Sequence, residues 1–186
     1  MQPITIVFSL FGLLLGLSLI AVLSGFARVI KMRPRVHMGL LTPMLGTFVM
    51  LDLTSFWHGA WRAQAYVRPE YGFLFVALVV SSVYYLAASS VFPETATSAE
   101  EFDAHYFENR RWIFLSIAFC NLVVFGWEDW LERSQLPPAW WFTIPPYYAL
   151  VIMAALVRGR ALSIACLAGL IAIFLFLAVR SLAVFA

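Results

Sequence analysis

The chain has 186 residues, of which 63% are hydrophobic and only 12% are charged. A soluble domain has roughly 45–50% apolar and about 25% charged residues. The composition therefore excludes an ordinary soluble protein and predicts an integral membrane protein. A net charge of +2 gives no reason to expect nucleic-acid binding. At about 20 residues per transmembrane helix, this length fits about six spans and no separate soluble domain.

Apolar segments predict an all-α fold of six transmembrane helices in a single membrane domain. The predicted spans are about 4–29, 39–60, 71–92, 112–127, 141–157 and 162–179. The N-terminus lacks a positively charged region and a small-residue cleavage site, so the first segment is predicted to be a retained span. Between the third and fourth spans, Ser98 and Glu101 fit a capping box, which predicts a short interfacial helix at about 98–110.

The positions of the basic residues predict the orientation, because cytoplasmic loops of membrane proteins are enriched in lysine and arginine. With both termini outside, the inner loops contain Arg28, Lys31, Arg33, Arg35, Arg110, Arg111, Arg158 and Arg160. The outer loops then contain only Arg62, Arg68, Arg133 and Arg180. The sequence therefore favours an N-out, C-out topology.

The second span is unusual because it carries an acid in an apolar helix, which costs about 2.5–3.5 kcal/mol on insertion scales. On a helical wheel, one stripe contains Asp52, Ser55, Gly59 and Arg62, and the next contains Thr47, Thr54 and His58. We expect these stripes to face the bundle interior or a cavity. The face expected to meet lipid contains Val49, Met50, Leu53, Phe56, Trp57 and Ala60.

The sequence leaves three roles open for Asp52. The residue could be a structural acid bonded to a hydroxyl or to Asn121, it could be a proton or cation site, or it could contact a ligand or partner chain. Tyr85 on the third span is a further candidate, and Asn121 and Glu128 share a face of the fourth span because they lie seven residues apart. These positions predict a site that opens to the outside, with the inner surface serving as a scaffold.

The sequence gives little support for a metal or cofactor site or for catalysis. Cys120 and Cys166 lie in apolar segments, as small core residues do. The sequence lacks a CxxCH, HExxH, P-loop or nucleophile-elbow motif. His58 with Glu128 and Asp129 leaves a metal site open as an alternative, but their spacing supplies no ligand geometry. We therefore predict no cofactor, no metal and no catalytic residue, and the sequence does not favour an enzyme.

Two stretches resemble those of uncharacterised, small polytopic inner-membrane proteins of bacteria. They are Met50-Leu51-Asp52 with Phe56-Trp57, and Val91-Phe92-Pro93-Glu94 with Phe102-Asp103, His105-Tyr106-Phe107 and Arg110-Arg111-Trp112. The resemblance covers about the middle third of the chain. It implies a multi-pass protein of the bacterial inner membrane and brings no activity, cofactor or site.

The leading functional prediction is a channel or transporter for an ion or small solute, assembled as a homo-oligomer in the lipid bilayer. Asp52, Ser55 and His58 would line its pathway, with Tyr85 and Asn121 facing it. The alternative is a non-catalytic structural or accessory subunit of a larger membrane complex. In that case small-residue faces of the first and sixth spans would be docking surfaces. A hydrated cavity at Asp52 favours transport, and a sealed Asp52 favours the structural role.

Overall fold

The computed structural model contains six α-helices among the residues that it describes. They are α1 (Pro3–Met32), α2 (Leu41–Ala63), α3 (Tyr71–Ser89), α4 (Ala99–Glu132), α5 (Trp140–Leu156) and α6 (Arg160–Ala183). The structure describes residues 3–32, 39–63, 70–95, 98–132 and 140–183, with backbone alone at 3–8, 32, 60, 62–63, 127–132 and 140–141. The described residues contain no strand. The predicted all-α fold with six helices is therefore confirmed.

Three helices of the described chain are long and apolar enough to cross a membrane. Their apolar stretches are Ser9–Lys31 in α1, Tyr71–Ser89 in α3 and Arg160–Ala183 in α6. A shorter apolar stretch, Phe142–Leu156, lies in α5. In each of the three long stretches, less than a third of the most apolar window is buried within the chain. Much of their apolar surface therefore faces outward, as in helices that contact lipid.

The polar segment before the fourth span differs from the prediction. It is the beginning of α4, one continuous helix of 34 residues. The Glu101 N–H donates to Ser98 Oγ at 3.2 Å, so the predicted capping residue does begin this helix. No proline follows within α4, and nothing else in its sequence breaks the helix. The helix is about 51 Å long at about 1.5 Å per residue, longer than the hydrocarbon core of about 30 Å.

The helices form two groups of four that share the pair α2 and α4. In the first group, α1 packs on α2 and α3, and α3 packs on α4. In the second, α5 packs on α4 and α6, and α6 packs on α2. The shared pair runs parallel, since Thr42 donates to the carbonyl of Phe102 at one end and Gly59 meets Phe125 at the other. A side chain between α2 and α4 is thus at the centre of the bundle.

Aromatic side chains fill this centre along α2. Phe48 packs on Phe114 and Phe174, with ring centroids 5.7 and 6.1 Å away. Two turns later Phe56 packs on the rings of Tyr84 and Phe125, at 5.0 and 5.8 Å. Phe48 and Phe56 are fully buried, and their packing fixes the rotation of α2 about its axis.

The prediction of which residues of α2 meet lipid is therefore wrong in part. Val49, Leu53 and Phe56 are buried, whereas the stripe of Thr47, Thr54 and His58 is exposed. The threonines need no polar surroundings because their hydroxyls donate to carbonyls one turn back, Thr47 to Pro43 and Thr54 to Met50, at 2.9 and 3.0 Å. Aromatic packing thus decided which side of α2 faces inward.

One end of the bundle gathers most of the described cations and is called the basic end below. It contains Arg28, Lys31, Arg110, Arg111, Arg158 and Arg160. Two contacts join helix ends there. Arg160 Nε lies 3.3 Å from Asp103 Oδ2, linking α6 to α4. His105 Nε2 lies 2.9 Å from the carbonyl oxygen of Ser90, linking α4 to the end of α3.

Candidate functional site

Asp52 is the most unusual side chain in the core, with no exposed surface. It lies on α2 midway between Phe48 and Phe56, four residues from each, so all three side chains point the same way. The aromatic packing that buries these two rings also directs the carboxylate between α2 and α4. Burial of a carboxylate without hydrogen bonds would be very costly, so its partners decide whether the position is tolerated.

Three side chains from three other helices donate hydrogen bonds to this carboxylate. The Tyr84 hydroxyl of α3 lies 2.9 Å from Oδ2. The Tyr147 hydroxyl of α5 lies 2.7 Å from Oδ1. The Asn121 amide of α4 lies 3.0 Å from Oδ1. We call these four residues, including Asp52, the Asp52 cluster.

The directions of these hydrogen bonds are mutually consistent. One Asn121 N–H donates to Asp52, and the other donates to the Tyr147 hydroxyl oxygen at 2.6 Å. The Tyr147 O–H is then free to donate to Asp52. The Tyr84 hydroxyl also lies 3.2 Å from the carbonyl oxygen of Val49, one turn before Asp52. Both carboxylate oxygens are therefore satisfied inside the core.

One acceptor in the cluster remains unused. Asn121 Oδ1 is buried, and no described residue donates to it. Within the described chain, Asp52 also has no cationic partner. The cluster thus pairs a carboxylate with hydroxyl and amide donors, and the amide oxygen of Asn121 has no donor among the described residues. Such a set can join helices, and it also has the oxygen atoms that a proton or small cation would need.

The structure brings together only some of the predicted site residues. Asp52 and Asn121 are in direct contact. Ser55 is partly buried, and its hydroxyl donates to the backbone carbonyl of Asp52 at 2.7 Å. His58 and Tyr85 are exposed. The side chain of Glu128 lies outside the described residues, and a role for any of these residues in a pathway stays a prediction.

Sequence reasoning missed Tyr84 and Tyr147. It chose Tyr85, which shares a face with two serines, but the buried face of α3 consists of Val80, Ser81, Tyr84, Ala87 and Ala88. The two alanines could have indicated that face, because small side chains let helices approach closely. Tyr147 follows Pro145 and Pro146, where the sequence gives no signal for the direction of a side chain.

Comparisons with known proteins do not extend this description. No protein-family model, curated protein or solved structure is significantly similar to the chain. The functional argument therefore depends on the geometry of the cluster and on the exposed surfaces of the bundle.

Proposed function

We propose that this protein is an integral membrane protein with a non-catalytic, structural or accessory role in a larger membrane assembly. The observation that carries the proposal is the closure of the Asp52 cluster. Asp52 is fully buried, and donors from three other helices satisfy both of its oxygens. A carboxylate held in this way ties four helices together, which is the structural role considered from the sequence.

The proposal includes six spans in a bacterial inner membrane, with both termini outside. Three long apolar helices support membrane insertion. The polar residues that make α2 and α4 less apolar include Asp52 and Asn121, which face each other inside the bundle and would not meet lipid. The basic end supports this orientation, because it would be the cytoplasmic side.

Exposed small residues support a partner helix in the membrane. On α6, Ala165, Ala168 and Ala172 recur at three- and four-residue spacing and are all exposed. On α1, no described atom lies within 4 Å of a methyl group built at Gly16. Small residues at such spacings allow two helices to approach closely in a bilayer. A second copy of the chain or another membrane subunit would therefore fit these faces.

A second candidate function is the predicted channel or transporter. The unused Oδ1 of Asn121 favours it, since this oxygen and the Asp52 carboxylate together offer acceptors for a proton or small cation. Transport would require a hydrated route that connects the cluster with both ends of the bundle. The charge of Asp52 would then be essential, whereas a structural tie requires only hydrogen bonding at that position.

The variant Asp52→Asn separates the two candidates because it removes the charge and keeps the size. In proteoliposomes under a proton or sodium gradient, we expect wild type and variant alike to show only the flux of protein-free vesicles. We also expect mild solubilisation of the native membranes to yield a particle whose protein mass, with bound detergent and lipid subtracted, exceeds the 21.0 kDa of one chain. Thr54→Val, at an exposed position of α2 outside the predicted pathway, is the matched control variant.

One result would contradict the structural proposal. A proton or cation flux in the wild type that Asp52→Asn abolishes and Thr54→Val preserves would replace the structural proposal with transport. A particle of monomer mass would remove the support for a partner.

A further inference from the structure

Buried hydrogen-bond donors without acceptors lie at the basic end, where α4 faces the start of α6. They are Nε and Nη1 of Arg110 and the hydroxyls of Tyr106 and Ser163, and none of them has a partner among the described residues. Arg110 is 3% exposed, and Tyr106 and Ser163 have no exposed surface. Native proteins rarely leave several buried polar groups unpaired in one place, so a missing partner is indicated.

The three side chains belong to one place in the fold. Tyr106 and Arg110 are four residues apart and therefore share a face of α4. Ser163, in the first turn of α6, lies near the Tyr106 phenol. Burial raises the pKa of Tyr106, and the nearby Ser163 hydroxyl lowers it. Ser163 acts on this pKa as a hydrogen-bonding neighbour of the phenol, although the two hydroxyls do not form a hydrogen bond in the structure. If one donated to the other, the second would still have its hydrogen atom to donate to a third group.

The charge at this place is positive. Burial lowers the pKa of Arg110, as do the positive charges of Arg111 and Arg158, while Tyr106 acts in the opposite sense. The guanidinium lies over the ring of Phe107, 5.1 Å from its centroid, and this contact provides no anion. The acid on the same face of α4, Asp103, is paired with Arg160 through Oδ2, and its buried Oδ1 has no hydrogen-bond partner among the described residues. Arg110 is thus a buried cation without a counter-ion in the described chain.

We propose that this group of residues binds a phosphate group, with Arg110 as its main ligand and the Tyr106 and Ser163 hydroxyls as additional donors. Arg110 can only donate, and the two hydroxyls can donate as well as accept, so one acceptor group can pair all three. The positive charges of Arg111 and Arg158 add to that of Arg110 and favour a group with more than one charged oxygen. Guanidinium geometry matches phosphate oxygens well, and Ser163 places the group at the N-terminus of α6, where helix dipoles favour anions.

Two sources supply this chemistry: the headgroup of an anionic phospholipid and free inorganic phosphate. In the proposed orientation, the basic end lies at the headgroup level of the cytoplasmic leaflet. Basic pockets between helices bind anionic lipids at that level. This inference concerns a site distant from the Asp52 cluster. The lipid as a source rests on the proposed orientation, whereas the binding of a phosphate group by these residues does not.

The test measures the melting temperature of the delipidated protein in a neutral detergent, since a ligand that binds the folded state raises it. One arm compares dioctanoyl phosphatidylglycerol with dioctanoylglycerol, which lacks the phosphate. The other arm compares sodium phosphate with sodium chloride at equal ionic strength. Arg110→Gln removes the main ligand, and Arg28→Gln removes an exposed cation from the same end as a matched control.

We expect phosphatidylglycerol or phosphate to raise the melting temperature of wild type and of Arg28→Gln, and not that of Arg110→Gln. Whichever of phosphatidylglycerol and phosphate binds with the lower dissociation constant is the source of the phosphate group. Ser163→Ala changes little volume and covers the case in which Arg110→Gln does not fold. It is expected to weaken binding about three- to tenfold, as for one lost hydrogen bond. The proposal is overturned if neither ligand shifts wild type, or if Arg110→Gln or Ser163→Ala shifts as wild type does.

Discussion

Asp52→Leu is expected to lower the free energy of unfolding by about 3 kcal/mol, since removal of the acceptor leaves buried polar groups unpaired at about 1–3 kcal/mol each. The Tyr147 hydroxyl and the Asn121 amide lose the acceptor that both now use. Tyr84 is less affected, because its hydroxyl already lies 3.2 Å from the carbonyl oxygen of Val49. Unfolding in detergent micelles, followed by far-UV circular dichroism, measures the change.

Asp52→Asn is the matched control for this prediction. The new amide can still accept from Tyr147, and its N–H can donate to the Tyr84 hydroxyl, which then donates to Val49. Single hydrogen bonds between membrane helices average about 0.6 kcal/mol, so we expect Asp52→Asn to cost less than about 1 kcal/mol. Equal losses for the two variants would mean that the cluster depends on the charge of Asp52 and not on its hydrogen bonds.

Gly25→Ala is expected to destabilise the protein by about 1–3 kcal/mol, the range for overpacking a core. A methyl group at Gly25 would overlap the ring of Phe92, which lies beyond the end of α3. That ring cannot move away easily, because its other side meets Gly46 of α2 and its neighbour Phe26 lies 4.9 Å away. The melting temperature in detergent is the measurement.

Gly16→Ala on the same helix is the control for the Gly25 prediction. No described atom lies within 4 Å of the added methyl group, and alanine is favoured over glycine in a helix interior by about 1 kcal/mol. We therefore expect Gly16→Ala to be neutral or stabilising. In the Gly25→Ala background, Phe92→Leu should recover part of the loss. If Gly25→Ala proves as stable as Gly16→Ala, then Phe92 is not wedged between the two glycines.

The helices themselves were predictable because each apolar segment is long and bounded by charged or proline-containing loops. Apart from the part of α4 before residue 112, the observed helices begin and end within a few residues of the predicted spans. That exception has a simple cause. A capping box marks where a helix starts, but the segment around Arg110 and Arg111 contains no residue that ends one, so α4 continues into the bundle.

The candidate site was predictable only in its central pair. Asp52 and Asn121 were singled out because polar side chains in apolar helices need partners, and the structure joins them at 3.0 Å. Their tyrosine partners depend on how α3 and α5 rotate about their axes. Packing between helices sets that rotation, as when Tyr84 and not its neighbour Tyr85 meets the ring of Phe56. Periodicity within one segment does not contain this information.

The dependence on helix rotation also explains why the environment of Arg110 at the basic end was not predicted. From the sequence, Arg110 is one of several cations in a polar stretch, and nothing distinguishes it from Arg111. The structure buries Arg110 and leaves Arg111 exposed. The difference follows from the face of α4 on which each lies. The proposed phosphate site therefore depends on donors from two helices that the sequence alone does not place together.

In the proposed structural role the Asp52 cluster is sealed inside a dry core, and Cys120 provides a native probe of it. This thiol precedes Asn121, is fully buried, and lies 3.3 Å from the carbonyl oxygen of Val80. With Cys166→Ala removing the other thiol, the measurement is the rate at which a charged methanethiosulfonate reagent labels Cys120 in proteoliposomes. We predict no labelling in the time that the SDS-unfolded protein takes to react fully. Rapid labelling of the folded protein would show that water reaches the cluster and would contradict the structural role of Asp52.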